Sequence, residues 1–274
     1  MTINCKGKLI DLSIPKVMGI LNLTPDSFYD GGKYKKESEI LSQVNSMLNN
    51  EATFIDIGAY SSRPKAAHIS EAEELKRLLP IIELLIKEFP EIIISIDTFR
   101  SEVAKQSIEA GASLINDISA GKLDKNMLQT ISHLNVPYIM MHMKGTPQNM
   151  QEHTSYKNLW KEIIFYFSER IAETKKLGIK DVIVDPGFGF AKNVSQNFEV
   201  LKHLELFKIL DLPILAGVSR KSMIYKTLEN TAQEALNGTT VLNTIALQKG
   251  ANILRVHDVK EATETIKLTA QLNQ

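Results

Sequence analysis

Eight short apolar runs, separated by stretches long enough for helices, constrain the fold of this 274-residue chain more than any other feature. The runs cover residues 17–21, 54–58, 92–96, 114–118, 138–141, 182–184, 213–217 and 253–256. Most are rich in Leu, Met and β-branched residues and do not alternate with polar residues, which is the pattern of parallel strands buried on both faces. The runs therefore predict a parallel sheet covered by helices.

The stretches between the runs have the period of amphipathic helices. Apolar residues repeat at helical spacing after the second run: Leu75, Leu78, Leu79, Ile82, Leu85 and Ile86. Two pairs, Ser70 with Glu73 and Thr231 with Glu234, match the capping box that begins a helix. A helix is therefore predicted to begin just after Ser70 and another just after Thr231.

Eight alternating strand–helix units predict a single-domain α/β protein, a (β/α)8 TIM barrel. An open doubly wound sheet is the alternative that the same pattern allows. Residues 1–15 are predicted to form a short N-terminal hairpin or plug beneath the barrel. No low-complexity segment, charge block or Pro/Gly-rich linker divides the sequence, which favours one domain over residues 1–274.

Charge and cysteine content exclude several classes of function. Lys and Arg together number 32, as do Asp and Glu, so no net basic field exists to attract nucleic acid or an anionic membrane. Cys5 is the only cysteine, which excludes an intrachain disulfide and a zinc site built on paired cysteines. No run approaches the roughly 18 apolar residues of a membrane span, and residues 1–13 lack the apolar core of a signal peptide. We therefore expect a cytoplasmic protein.

Polar residues follow the apolar runs where the predicted strands end. They include Asn22, Asp97, Asn116, His142, Asp185, Ser219, Arg220, Lys221, Arg255 and His257. In a barrel these strand ends converge on one rim, where barrel enzymes carry their active sites. Buried carboxylates need donors, which a flat heterocycle with several N–H groups would supply, and guanidinium groups match the oxygens of a phosphate or diphosphate. The GxGxxG and GxxxxGK[ST] motifs are absent from the sequence, so neither a Rossmann dinucleotide site nor a P-loop is supported.

Seven motifs resemble, in the same order, those of the dihydropteroate synthases. They are MGILNLTPDSFYDGG, SIDTFRSEVA, LINDISAG, MMHMKGTPQNMQ, VIVDPGFGFAKN, LAGVSRKSMI and ILRVHDV, and they lie between residues 16 and 260. The resemblance implies a folate-pathway transferase on a (β/α)8 barrel. Such an enzyme joins 6-hydroxymethyl-7,8-dihydropterin diphosphate to 4-aminobenzoate and releases diphosphate. Its small-molecule substrates are accompanied by Mg²⁺, and the family resemblance suggests a homodimer.

The resemblance also implies roles for individual residues. Pterin binding is assigned to Asp97, Asn116, Asp185 and Lys221. Diphosphate binding is assigned to Asn22, Arg63, Arg255 and His257, and Asn22 is also the expected ligand of Mg²⁺. Aminobenzoate binding is assigned to Phe28, Ser62, Pro64, Phe190, Arg220 and Ser222.

The chemistry of these residues agrees with the implied roles. Asp185 would accept hydrogen bonds from the 2-amino group and ring N–H of the pterin, while Asn116 offers both a donor and an acceptor. Departure of diphosphate would leave a cationic pterin methylene, which Asp30 and Asp97 would stabilise before the aromatic amine attacks it. The predicted catalytic residues are therefore Asp30, Asp97 and Lys221.

One loop departs from the family pattern. Where the family commonly has Gly-Glu-Ser-Thr-Arg-Pro-Gly, this chain has GAYSSRPKA, with Tyr60 in place of the Glu and Ala59 and Lys65 in place of glycines. The departure puts the affinity for aminobenzoate and for sulfonamides in question. The roles of Asp56 and His142 are also open, because either side chain can serve the barrel structure or contact a ligand.

Three other functions compete with the transferase. A corrinoid methyltransferase of the same superfamily would share the Asp/Asn pterin site, but it would not need the Ser-Arg-Pro loop or the Ser-Arg-Lys-Ser cluster. A non-catalytic pterin-binding barrel would be expected to lose Asn22, Arg63 or Lys221, and all three are present. A phosphosugar aldolase barrel would place its Schiff-base lysine within a strand, whereas Lys221 follows one.

Overall fold

The computed structural model describes residues 1–23, 33–61 and 68–273. The chain begins with an antiparallel hairpin of β1 (Thr2–Cys5) and β2 (Lys8–Asp11). Apolar side chains of this hairpin pack in one buried cluster with the first residues of the barrel strands, such as Phe54, Leu114 and Ile253. The hairpin therefore lies beneath the barrel, at the amino-terminal ends of its strands, as predicted.

Eight parallel strands form the barrel. They are β3 (Lys16–Asn22), β4 (Phe54–Gly58), β5 (Ile94–Asp97), β6 (Leu114–Asp117), β7 (Tyr138–Met141), β8 (Val182–Asp185), β9 (Leu215–Ala216) and β10 (Ile253–Val256). The order is β8-β7-β6-β5-β4-β3-β10-β9, and a parallel bridge between Val184 and Ile214 joins the last strand to the first. The closed ring confirms the predicted TIM barrel and excludes the open sheet.

Helices on the outside connect these strands. They are α1 (Lys33–Asn49), α2 (Glu71–Glu88), α3 (Ser101–Glu109), α4 (Met127–Leu134), α5 (Leu159–Lys176), α6 (Val194–Lys202), α7 (Ser222–Thr227), α8 (Leu236–Gln248) and α9 (Val259–Ala270). Short 3₁₀ turns span Met150–Glu152, Leu204–Leu210 and Gln271–Asn273. The apolar stripe predicted after the second strand lies on α2, where Leu78, Ile82 and Leu85 are fully buried.

The two predicted capping boxes have different outcomes. Ser70 caps α2, because its hydroxyl accepts a hydrogen bond from the backbone N–H of Glu73 at 3.2 Å. The prediction at Thr231 is wrong, since the next helix, α8, begins only at Leu236. The carboxylate of Glu234 instead accepts hydrogen bonds from the backbone N–H and the hydroxyl of Thr231, which closes a separate turn ahead of the helix.

Candidate active site

The carboxyl ends of the barrel strands place the predicted polar residues at one rim. Asp97 ends β5, and Asn116 lies opposite it in the register of β6. Asp185 ends β8, and Arg255 is the third residue of β10. Asp56 lies one layer deeper, in the middle of β4. The closed barrel thus brings together carboxylates and a guanidinium that are far apart in the sequence.

Arg255 links two of these carboxylates. Its Nε donates to Asp56 Oδ2 at 2.6 Å and its Nη2 donates to Asp97 Oδ2 at 2.8 Å. Asn116 Nδ2 also donates to Asp56 Oδ2, at 3.1 Å. Asp56 is fully buried, and its role in this structure is to orient Arg255 and Asn116. Within the described residues, Asp56 Oδ1 is buried without a hydrogen-bond partner.

Burial and charge shift the pKa values of this cluster in opposite directions. The pKa of Asp97 is raised to about 7, chiefly by burial. The charge of Asp56 adds to this rise, and the charge of Arg255 opposes it. Burial also lowers the pKa of Arg255, but the charges of Asp56 and Asp97 more than compensate, so that its pKa is raised overall. Arg255 is therefore permanently charged, while Asp97 exchanges its proton near neutral pH.

Asp185 and Lys221 form the second half of the rim cluster. Asp185 is 5 % exposed, and its Oδ1 accepts the backbone N–H of Gly187 at 2.7 Å. Lys221 Nζ donates to the carbonyl of Phe188 and lies 4.8 Å from the ring centroid of Phe190. Burial raises the pKa of Asp185, which the charge of Lys221 partly offsets. Burial lowers the pKa of Lys221 to about 8.

Sequence comparison now identifies the family. The model of the pterin-binding enzymes matches residues 18–257. The dihydropteroate synthase of Escherichia coli K12 is 42 % identical over 270 residues, which cover 98 % of this chain and 95 % of that protein. The corresponding protein of Haemophilus influenzae is 41 % identical and covers 98 % of each chain. The chain belongs to the dihydropteroate synthases of the pterin-binding enzyme family.

Solved structures of dihydropteroate synthases have the same fold. A Yersinia pestis enzyme in a sulfonamide drug complex superimposes with a TM-score of 0.93 at 40 % identity, covering 100 % of this chain and 99 % of that one. A Xanthomonas albilineans enzyme with 4-aminobenzoic acid gives a TM-score of 0.92 at 34 % identity, covering 99 % and 98 %. Membership in this transferase group sets aside the methyltransferase, aldolase and non-catalytic alternatives.

Arg220 and His257 occupy the rim between β9 and β10. All three guanidinium nitrogens of Arg220 are engaged, Nε and Nη2 with Asp258 at 2.8 and 2.7 Å and Nη1 with the carbonyls of Ala232 and Gln233. In this structure Arg220 therefore ties the turn before α7 to Asp258 and to the turn before α8. Its role toward aminobenzoate stays a prediction. His257 Nδ1 lies 3.0 Å from the hydroxyl of Ser219.

Several residues predicted to bind substrate belong to the two stretches that precede α1 and α2 in the sequence. Phe28, Asp30, Ser62, Arg63 and Pro64 lie outside the described residues. Asn22 ends β3 opposite Gly58 of β4, next to the first of these segments. Phe190 lies on the turn after β8, and Ser222 is the first residue of α7.

Tyr60, the departure from the family pattern, is a buried structural residue. Its hydroxyl accepts a hydrogen bond from Gln148 Nε2 at 2.5 Å and lies 3.3 Å from His68 Nδ1. Its ring makes an edge-to-face contact with Phe99 at 5.1 Å, and the guanidinium of Arg100 lies 5.4 Å from the ring centroid. Tyr60 thus joins the loop after β4 to the loop after β7, a contact that a shorter carboxylate side chain could not reproduce.

Sequence reasoning missed one buried cation near the site. Lys192 is 2 % exposed, and its Nζ lies 3.0 Å from Nδ1 of His142, which is 1 % exposed. His142 is therefore a buried residue with a partner inside the protein, at the end of β7. A signal existed, because a single lysine ends the otherwise apolar stretch GFGFAK, but nothing in the sequence identified its partner.

Proposed function

We propose that the chain condenses 6-hydroxymethyl-7,8-dihydropterin diphosphate with 4-aminobenzoate to give 7,8-dihydropteroate and diphosphate. The observation that supports this reaction most directly is the rim cluster of Asp56, Asp97, Asn116, Asp185, Lys221 and Arg255. It combines acceptors for a flat, donor-rich heterocycle with cations for an anionic leaving group.

The pterin would lie between the two halves of the cluster. Asp185 would accept from the 2-amino group and the ring N–H, because its carboxylate is acceptor-only when ionised. The amide nitrogen of Asn116 already donates to Asp56, so its oxygen remains for a pterin donor. Lys221 would exchange its bond with the Phe188 carbonyl for the pterin carbonyl oxygen. Asp97, with a pKa of about 7, can accept from or donate to a ring nitrogen.

The reaction would then proceed by dissociation. The bond between the pterin methylene carbon and the diphosphate oxygen breaks, and its electron pair leaves with the diphosphate. Arg255, held by two carboxylates but with no hydrogen bond to its Nη1 among the described residues, would direct that nitrogen to the leaving group. Ionised Asp97 would stabilise the cationic methylene. The lone pair of the aromatic amine forms the new C–N bond, and the resulting ammonium releases a proton to solvent.

Magnesium fits this site as a companion of the diphosphate. The described residues contain no group of three or more His, Cys, Asp or Glu side chains that could hold a metal. Mg²⁺ usually binds one or two protein oxygens, substrate phosphates and several waters. The amide oxygen of Asn22, at the end of β3, would hold the ion, which would neutralise charge on the departing diphosphate.

We further expect the protein to be a cytoplasmic homodimer. Sedimentation of the purified protein would measure the number of subunits.

Across the described residues, no helix has both the length and the apolarity needed to cross a bilayer. The comparison proteins include complexes with a sulfonamide and with 4-aminobenzoic acid, which supports the choice of substrate.

The direct test is product formation. Purified protein is mixed with the pterin diphosphate, 4-aminobenzoate and Mg²⁺, and both dihydropteroate and diphosphate are measured. Equal amounts of the two products are expected, and neither should form when aminobenzoate is omitted. Folded protein that forms no dihydropteroate at saturating substrate would refute the proposal. Lys6→Met, which removes a lysine at the opposite end of the barrel, serves as the matched active control.

A further inference from the structure

The turn after β8, residues 186–191, has an unusual backbone. It follows Asp185, the expected partner of the pterin, and contains Phe190, the expected wall of the aminobenzoate pocket. Gly187, Gly189 and Ala191 have φ values of 72°, 82° and 48°. A Cβ on Gly187 would stand only 2.1 Å from the carbonyl oxygen of His142, so the turn packs directly on the end of β7. A backbone bent in this way forms no regular ladder; only Gly187 O accepts a backbone N–H within the turn, from Phe190 at 3.1 Å, and the other carbonyl groups need side-chain donors.

Side chains supply those donors to five consecutive carbonyls. Lys192 Nζ donates to Gly187 O at 3.1 Å and to Phe190 O at 3.2 Å, Lys221 Nζ to Phe188 O, Gln151 Nε2 to Gly189 O at 3.2 Å, and Tyr156 Oη to Ala191 O at 2.8 Å. Of these donors, only Lys192 binds two carbonyls of the turn. Its two acceptors are three residues apart, so Lys192 reinforces the backbone hydrogen bond of 3.1 Å that Phe190 N–H donates to Gly187 O across the same turn.

The number of N–H donors on Lys192 equals the number of acceptors around it. An ammonium has three N–H donors, and its third acceptor is His142 Nδ1 at 3.0 Å. His142 must then be neutral, with its proton on Nε2. Burial lowers the pKa of His142 well below its usual value, and the nearby charge of Lys192 lowers it further. The reaction proposed above gives this buried lysine no role.

Lys192 binds the carbonyls of Gly187 and Phe190, which lie next to or within the two expected substrate pockets. The backbone N–H of Gly187 binds Asp185, the expected acceptor of the pterin donors, while its carbonyl binds Lys192. The carbonyl of Phe190 also binds Lys192, and the ring of Phe190 is the expected wall of the aminobenzoate pocket. The ammonium of Lys192 therefore contacts the turn next to Asp185, on the expected pterin side, and next to Phe190, on the expected aminobenzoate side.

We propose that Lys192 is a positioning residue of the enzyme, which holds Asp185 and Phe190 in register for the two substrates through the turn after β8. This inference rests on the proposed function, because it assumes that Asp185 binds the pterin. Lys192 does not touch either substrate in this role. It acts through the carbonyls of Gly187 and Phe190 and through its charge near Asp185.

The charge effect has a definite sign. Burial lowers the pKa of Lys192 to about 7, a shift that the charge of Asp185 opposes and the charges of Lys221 and Lys144 reinforce, so Lys192 is a full cation in the acid range where Asp185 titrates. His142 also faces Lys192, and Asp185 is in addition near Lys221 and Arg255. The positive charge of Lys192 lowers the pKa of Asp185, against the larger effect of burial. Removing that charge should raise the pKa of Asp185, so a neutral variant should lose its ionised acceptor at a higher pH than the parent. A lysine that only stabilised the fold would not move this titration.

The test compares Lys192→Met with the control Lys6→Met, which removes a lysine–carbonyl bond of 2.9 Å to Gly111 beneath the barrel. The dissociation constant of a simple pterin is measured by calorimetry across the pH range, and the KM for aminobenzoate is measured at saturating pterin diphosphate. For Lys192→Met we expect pterin binding weakened roughly tenfold at neutral pH, an acid limb shifted to higher pH, and a raised KM. Lys6→Met should match the parent in all three.

The affinity and pH profile of the Lys192 variants distinguish a positioning role from a purely structural one. A Lys192→Met protein that loses thermal stability but keeps the parental affinity and pH profile would overturn the proposal. If that variant does not fold, Lys192→Gln, which keeps two donors but no charge, is judged by the same pH shift. Failure of both variants to fold would make Lys192 a folding residue and would also overturn it. A parent protein that binds no pterin would instead refute the proposed function.

Discussion

Replacing Arg255 with Met should make the stability of the protein depend on pH in a new way. The guanidinium is 17 % exposed and donates to Asp56 at 2.6 Å and to Asp97 at 2.8 Å. Removing one partner of a buried ion pair typically costs about 3–5 kcal/mol. The cost should be smaller at low pH, because a protonated Asp97 can donate to Asp56 in place of the lost arginine.

The pH window follows from the raised pKa of Asp97. A carboxyl whose folded pKa lies above its unfolded value stabilises the fold at low pH, and this contribution is lost as the pH rises to the folded pKa. In the parent, that loss ends near pH 7, since the pKa of Asp97 is about 7. In Arg255→Met the pKa rises further, because the cation that lowered it is gone, so the loss continues above pH 7. Each additional pH unit costs about 1.4 kcal/mol.

Urea unfolding of parent and variant at pH 5.5, 7.0 and 8.5 measures the effect. The difference in free energy of unfolding should grow between pH 7.0 and 8.5 by at most about 2 kcal/mol, which is the slope per unit multiplied by the interval. Arg77→Met is the matched control, because Arg77 pairs with Glu73 at 2.7 Å at a more solvent-accessible position on α2. Such a pair contributes little to stability. A difference for Arg255→Met that stays constant with pH would refute the coupling to Asp97.

Three further outcomes are expected. Asp185→Asn should weaken binding of a simple pterin by about 1–3 kcal/mol, because an amide NH₂ would face pterin donors; unchanged calorimetric affinity would remove Asp185 from the pocket. Pterin affinity of the parent should fall above pH 8, where Lys221 loses its proton, and a flat profile up to pH 9.5 would contradict the contact of its ammonium with the pterin carbonyl. Tyr60→Phe should lower stability by about 1 kcal/mol through loss of the Gln148 bond, with thermal unfolding as the measure.

The strands and the rim could be predicted because both depend on local sequence patterns. A buried parallel strand needs apolar residues on both faces, and each of the eight runs supplied a strand close to its predicted bounds. The largest difference is at 213–217, where β9 covers only Leu215–Ala216. Pro213 has no N–H to donate, although its carbonyl still accepts from Val184 at 2.9 Å.

The pairing inside the site could not be predicted, because it depends on barrel closure. Arg255 and Asp56 are 199 residues apart, and nothing local marks them as partners. The same holds for Lys192 and His142, which are 50 residues apart. Sequence patterns place side chains at the rim, whereas closure decides which of them neutralise one another. For this reason Arg255 was expected to bind only diphosphate, while the structure shows two of its nitrogens already bound to carboxylates.

This pairing bears on how the site would accept an anionic substrate. Among the described strand-end and turn residues, the carboxylates of Asp56, Asp97 and Asp185 face the cations of Arg255, Lys221 and Lys192. When all six groups are ionised, three negative charges balance three positive charges, which leaves this part of the pocket close to neutral. A neutral heterocycle such as a pterin can enter it without a charge penalty, but a bound diphosphate needs cations beyond this set. Arg63, His257 and the proposed Mg²⁺ are the candidates for those cations. If Mg²⁺ supplies most of that charge, binding of the pterin diphosphate should depend on Mg²⁺ far more strongly than binding of a bare pterin, and equal dependence in calorimetry would contradict the proposed role of the ion.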